Sequence, residues 1–232
     1  MDGCGYRGTA WLRHAEVNGC RVILDLRTER YRVLNEAGSV MWRVLTGESS
    51  LSVAWDVLRA RYQVEEHRLA ADLSVFARQC IEEGLLKSAS DTDGDGAGSM
   101  GGAGAAPAVY KRPSILLALR SLVETARSVR RDGFAATYAR YERIPRGHIL
   151  EPGSKALRAF GRAENLYVAS RAPDDCLVRS LALFRFLNQS GVRAAHVIGV
   201  NRFPFLAHAW VECNGQPALQ ASVQAFTPLA RI

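Results

Sequence analysis

The sequence predicts two α+β domains in tandem, and three observations carry that reading. A Gly/Asp-rich stretch at residues 88–107 divides the 232-residue chain. The first half places strand-like alternation ahead of helical periodicity, and the second half places helical periodicity ahead of strands. With 48% hydrophobic and 23% charged residues, the composition is that of a globular chain, not a disordered one. Nothing approaches the ~18 consecutive apolar residues of a membrane helix, so no membrane is expected as a partner. The opening MDGCGYRGTAW lacks the basic start and apolar run of a secretory signal. Five scattered cysteines (Cys4, Cys20, Cys80, Cys176, Cys213) include no C-x-x-C pair, which points to reduced thiols and a cytoplasmic location.

Charge separates the halves further. Residues 1–87 carry 12 Lys/Arg against 12 Asp/Glu, whereas residues 108–232 carry 18 against 8. The C-terminal half should therefore meet something acidic. The neutral N-terminal half lacks the basic footprint of a nucleic-acid binder. The basic half shows no regular interleaving of basic and aromatic residues, so no nucleic-acid partner is expected.

In the first domain, residues 1–87, strands are expected over Thr9–Val17 and Cys20–Leu26 around an Asn18-Gly19 hairpin turn. Val22, Leu24 and Leu26 alternate with Arg21, Ile23 and Asp25, which predicts one apolar face. A third strand covers Tyr31–Leu34. Asn35 suits a helix N-cap, and Gly47 marks that helix's end. Two more helices follow at Leu51–Tyr62 and Glu65–Leu86, the last with Leu69, Leu73, Phe76 and Cys80 on one stripe. The order is three strands, then three helices.

From Ser90 to Ala106 the chain reads SDTDGDGAGSMGGAGAA, with Met100 its sole large apolar residue. Such a segment buries too little surface to offset its backbone entropy, so a flexible tether is expected. Asp91, Asp93 and Asp95 are spaced like a calcium loop, but the closing Glu is missing.

In the second domain, residues 108–232, an amphipathic helix spans 113–131, apolar at Ile115, Leu119, Leu122, Ala126 and Val129; another covers Gly133–Arg143. Pro173-Asp174-Asp175 then leads into a helix from Cys176 to Leu187, closed by Gly191. A helix N-terminus favours thiolate over thiol. Arg193–Val200 reads as a strand, as does Leu206–Glu212, with His208, Trp210 and Glu212 on one face. Asn214-Gly215 turns the chain back into Gln216–Gln220. A Cys at a helix start followed by a His on a strand is the layout of a nucleophile and its base. Three other readings of these residues stand beside it: a structural cysteine, a core histidine, and a zinc set of Cys176, His196, His208 and Cys213. The zinc set lacks the short ligand spacings usual for such sites.

Residues 31–47 (YRVLNEAGSVMWRVLTG) and 81–86 (IEEGLL) give the first domain a resemblance to the PqqD-like peptide-recognition family, over about residues 9–87. The resemblance implies a winged-helix-like domain that binds the leader segment of a ribosomally made precursor peptide. The leader would add as a strand beside Tyr31, Arg32, Val33 and Leu34, with Leu69, Asp72, Leu73 and Phe76 across the groove. An open strand edge with adjacent apolar pockets suits that mode. Val33, Leu73 and Phe76 also fit as plain core.

The runs DCLVRSLAL (175–183), VIGV (197–200), FLAHAWVE (205–212) and FTPL (226–229) make about residues 110–232 similar to the transglutaminase-like leader peptidase of lasso peptide biosynthesis. This is a transglutaminase/papain-like cysteine protease fold, and a PqqD-like domain ahead of it is the fused form of that family's B protein. The resemblance implies hydrolysis of the leader–core bond, with Cys176 as nucleophile and His208 as general base and acid, and no cofactor or metal. Arg179 and Trp210 would lie at the substrate pocket. The core would pass to a separate asparagine-synthetase-like, ATP-using cyclase. A non-catalytic delivery protein with a decayed triad and a transglutaminase-type acyltransferase are the alternatives.

The family completes its triad with an Asp after the His, but no Asp or Glu follows Glu212 here. The matching position is Gln220. A two-residue Asn-Gly turn would pair His208 with residue 221, and a three-residue loop would pair it with Gln220. An amide can orient an imidazole, though it does not stabilise the imidazolium as a carboxylate does. Glu212, two positions along the same face, is the other candidate orienter, and Asp174 or Asp175 near the thiol are further ones.

Overall fold

The computed structural model describes residues 6–62, 65–88, 110–168, 176–219 and 223–232. The chain divides into two compact units, residues 1–101 and 102–232, each mixing helix and strand. The expected tether from residue 89 onward, and the expected helix cap at Pro173–Asp175, lie outside the described residues.

The first unit opens with β1 (Tyr6–Gly8), β2 (Leu12–Val17), β3 (Cys20–Asp25) and β4 (Arg30–Leu34). Helices α1 (Glu36–Leu45), α2 (Leu51–Tyr62) and α3 (Glu66–Glu82) follow, then β5 (Leu86–Ser88). The three expected strands form one antiparallel sheet in the order β2-β3-β4. Val17 pairs with Cys20 across the Asn18-Gly19 turn. Asn35 caps α1 by accepting the Gly38 N–H at 2.8 Å.

Three expectations need correction. The first expected strand starts at Leu12 instead of Thr9, and ahead of it lies a strand that was not expected, β1, which pairs with β5 in a separate two-stranded sheet. Helix α3 stops at Glu82 because Gly84 takes a positive φ of 69°, which releases Leu86–Ser88 into β5. Ser88, expected in the tether, is thus paired to Tyr6. Strand β3, expected to have one apolar face, is buried along its whole length. Its polar residues go under because they are paired: Arg21 bonds both oxygens of Glu48 at 2.8 and 2.9 Å, and Asp25 holds Arg27. The core beneath the helices forms around Ile23, with Leu12, Trp42, Leu45, Ala77 and Cys80.

The second unit runs α4 (Ile115–Asp132), α5 (Phe134–Glu142), α6 (Ser154–Val168), α7 (Cys176–Gln189), β6 (Ala194–Asn201), β7 (Leu206–Cys213), β8 (Gln216–Pro217) and β9 (Thr227–Arg231). Its antiparallel sheet has the order β8-β7-β6-β9. The buried stripe of α4 is rotated from the expected one and runs through Leu117, Ala118, Ser121, Leu122, Thr125, Ala126 and Ser128. Small hydroxyl residues can face the core here because α5 supplies partners: Thr125 meets the Tyr141 hydroxyl at 2.9 Å, and Ser128 meets Thr137 at 2.8 Å. An apolar pattern cannot register such residues. No helix among the described residues is long and apolar enough to cross a membrane.

Candidate active site

A short turn after α7 sends the chain back along β6, so helix and strand run in opposite directions. Cys176, the first residue of α7, therefore lies at the end of the sheet where β6 finishes and β7 starts. His208 sits at that end, paired with Gly199. The first turn of α7 is pinned to the sheet by Ser180. Its hydroxyl donates to the Cys176 carbonyl at 2.5 Å and contacts Nε2 of His196 at 2.8 Å.

His196 and its cross-strand partner Val211 thus face α7. Alternation along β7 places His208, Trp210 and Glu212 together on the opposite face, as the spacing predicted. Trp210 donates its indole N–H to Glu212 at 2.8 Å and lies nearly parallel to the His208 ring, 15° between planes and 6.2 Å between centroids. Phe226 closes on both rings, 5.6 Å from His208 and 6.1 Å from Trp210. A narrow cleft beside Cys176 is lined by Arg179, Leu183, Trp210, Val211 and Leu219. The structure therefore brings Cys176, Arg179 and Trp210 into one cleft. His208 packs on Trp210 and is not a wall of that cleft.

Burial lowers the His208 pKa below 6.5, and the nearby Arg179 charge lowers it further, so the ring is neutral at pH 7 and able to accept a proton. Arg179 is itself held by both oxygens of Glu164 on α6. Burial pushes the Cys80 and Cys213 thiols up to about 11, which makes them poor nucleophiles. His196 is fully buried, its pKa driven down to about 3 by desolvation. The zinc set is not gathered: His196 and His208 point to opposite faces of the sheet, and no metal-holding group of three or more ligands occurs among the described residues.

Gln220 lies outside the described residues. The Asn214-Gly215 turn ahead of it is the two-residue one, pairing Cys213 with Gln216 and Glu212 with Pro217. The three-residue loop that the orienting role of Gln220 required is not formed.

On the other unit, β4 is an edge strand whose Val33 is 46% exposed. Tyr31 is half-buried, and Arg32 pairs with Glu83, just beyond α3, at 3.1 Å. Leu34, Leu73 and Phe76 are half-buried against the cluster around Trp42 and Cys80. Leu69 departs from that group and packs with Val40, Ala54 and Leu58. Asp72 is exposed beside Arg68.

Four features of the site were not assigned from sequence: Phe226, Gly199, Ser180 with His196, and all of α6 with Glu164. A glycine inside a strand is a signal of close approach, and Gly199 carried that signal.

Residues 117–231 match the Transglutaminase-like superfamily, and residues 20–86 match the family described as Coenzyme PQQ synthesis protein D, PqqD. The chain joins a PqqD domain to a transglutaminase-like domain. It is 52% identical over 42 residues to the microcin J25-processing protein McjB of Escherichia coli, a match spanning 18% of this chain and 20% of that protein. Two solved structures are also similar. One is TbiB1 in complex with the TbiA(beta) leader peptide, at 26% identity, TM-score 0.31, covering 35% of this chain and 94% of that one. The other is lasso peptide synthetase B1 complexed with the leader peptide, at 22% identity, TM-score 0.31, covering 35% and 96%. One chain thus carries both family matches, the PqqD one first and the transglutaminase-like one second.

Proposed function

We propose that the protein binds the leader of a lasso peptide precursor through its PqqD domain and cleaves the leader–core bond in its transglutaminase-like domain. What supports this reading is that Cys176, at the first turn of α7, and His208, near the start of β7, lie at the same end of the sheet, where Arg179 lines the Cys176 cleft and its charge acts on His208. The open edge of β4 beside half-buried Leu34, Leu73 and Phe76 supports leader docking as an added strand. Residues 1–87 serve recognition, 108–232 serve cleavage, and 88–107 tether the two. Holding the leader on the same chain raises the effective concentration of the scissile bond near Cys176.

In this mechanism neutral His208 takes the Cys176 proton, and the thiolate attacks the carbonyl of the last leader residue. The imidazolium then protonates the departing core amine, leaving the leader as a thioester on Cys176. Water, deprotonated by His208, hydrolyses the thioester and restores the thiol. The freed core amine suits a separate ATP-using cyclase that forms the macrolactam, and the work is cytoplasmic. Arg179, in the cleft with Cys176, contacts the substrate beside the scissile bond, and Trp210 walls the same cleft.

Mass spectrometry of a cognate precursor, incubated with the protein, cyclase and ATP, tests the reading. Wild type should release leader and core, and Cys176→Ala should release neither. Faster cleavage by Gln220→Asp would place Gln220 beside His208. A precursor that binds yet stays intact would sink the catalytic reading in favour of delivery.

A further inference from the structure

We propose that Glu212 positions His208 through the indole of Trp210. This rests on the reading of Cys176 and His208 as the catalytic pair. Glu212 is buried on β7 and both its oxygens are engaged: Oε1 accepts the Trp210 N–H at 2.8 Å, and Oε2 accepts from the Arg231 guanidinium on β9. Glu212 and His208 flank Trp210 on one strand face, so the carboxylate is separated from the imidazole by the indole. The indole is fixed from three directions. Its N–H is bound to Glu212, and Phe226 lies against its side. Its far edge rests on Gly199, where even a Cβ would come within 2.6 Å of the ring. A ring so constrained presents one face to His208, stacked at 15°.

The arrangement supplies orientation without supplying charge. Arg231 neutralises the Glu212 carboxylate, so the device holds the imidazole in place while leaving it the neutral base the mechanism needs. It also accounts for a site in which no acidic residue follows Glu212 in the sequence. A carboxylate still serves the histidine, through an aromatic ring instead of a direct hydrogen bond.

The test is histidine-selective NMR on the full chain, with the His208 resonances assigned by their loss in His208→Gln, run beside single-turnover cleavage of a precursor. In Glu212→Ala the His208 ring protons should lose the ring-current displacement that Trp210 imposes. Glu212→Gln, which keeps an acceptor for the indole N–H, should restore most of it. Turnover should fall about tenfold or more in Glu212→Ala, the scale of a misplaced catalytic group. The precursor KM should stay within about twofold, because the leader is held elsewhere. If Glu212→Ala does not fold, Gly199→Ala displaces the same ring from its other support and should move the same signals. His208 resonances unmoved in a folded Glu212→Ala or Gly199→Ala variant would overturn the proposal. Resonances that move as expected in a protein whose wild type cleaves no precursor would uphold the positioning contact and sink the peptidase reading instead.

Discussion

Cys176 differs from Cys20, Cys80 and Cys213 in one physical respect: its sulfur-bearing side chain is partly exposed while the other three are buried. In a Cys4→Ser background, brief iodoacetamide treatment at neutral pH should alkylate Cys176 alone, as read by peptide mass spectrometry. The other three should react once the chain is unfolded. Labelling of Cys80 or Cys213 in the native protein would contradict their burial. His208 ties the reaction to pH. Desolvation and then the Arg179 charge disfavour the imidazolium and hold its pKa below 6.5, so a reaction needing the neutral ring keeps its rate until the pH falls below that value. Removing the charge in Arg179→Ala should raise the His208 pKa and move the acid limb of kcat/KM to higher pH. A limb that stays in place, or moves down, would remove Arg179 from the electrostatics of the base. The identities of both groups were legible in sequence, since a helix-start Cys and a strand His announce themselves by residue type. Their neighbours Phe226 and Ser180 were not, because they reach the site by strand pairing and helix packing.

Among the elements, α1 shows how far local chemistry reaches. Asn35 was readable as its cap, and the observed bond to the Gly38 N–H means that Asn35→Ala should cost about 1 kcal/mol in urea unfolding of the PqqD domain. An unchanged midpoint would show the cap to be idle. Strand β4 makes the functional prediction of this scale. Val33 stands exposed on the open edge, so Val33→Asp should leave stability nearly untouched. It should weaken leader binding about tenfold, roughly 1.4 kcal/mol, in a fluorescence-polarisation titration. Unaltered affinity would move the leader away from β4. Helix α3 ends short of the expected Leu86 because the left-handed turn at Gly84 stops it, although Leu85 and Leu86 beyond the turn are still apolar.

For the molecule as a whole, His196 couples stability to pH. Its surroundings are Ser180 and Phe184 from α7 and Tyr138 from α5, none of which carries a charge at neutral pH. Its pKa is about 3 when folded and about 6.5 when unfolded, so between these values the unfolded chain binds the extra proton. The stabilisation is complete above about pH 6.5 and is lost as the pH falls toward about 3. The Tm of the transglutaminase-like domain should therefore drop through that window, and His196→Gln should flatten the drop. A Tm equally pH-dependent in both proteins would assign the effect elsewhere. The division into a neutral N-terminal half and a basic C-terminal half was visible in composition alone, because net charge needs no fold to be counted.

The sequence by itself determined the α+β class, the place of most helices and strands, the Asn18-Gly19 and Asn214-Gly215 turns, and the candidate pair Cys176 and His208. These follow from periodicity, caps and residue chemistry, which act over a few neighbouring residues. Only the tertiary structure decided that both faces of β3 are covered, and that α4 buries serines and a threonine. It also decided that the Asn214 hairpin takes the two-residue register, and that Glu212 reaches His208 through Trp210 over Gly199. Those outcomes depend on which distant groups arrive to pair a buried charge, accept a hydroxyl or leave room for a ring. That is settled by packing between elements and leaves no period in the chain.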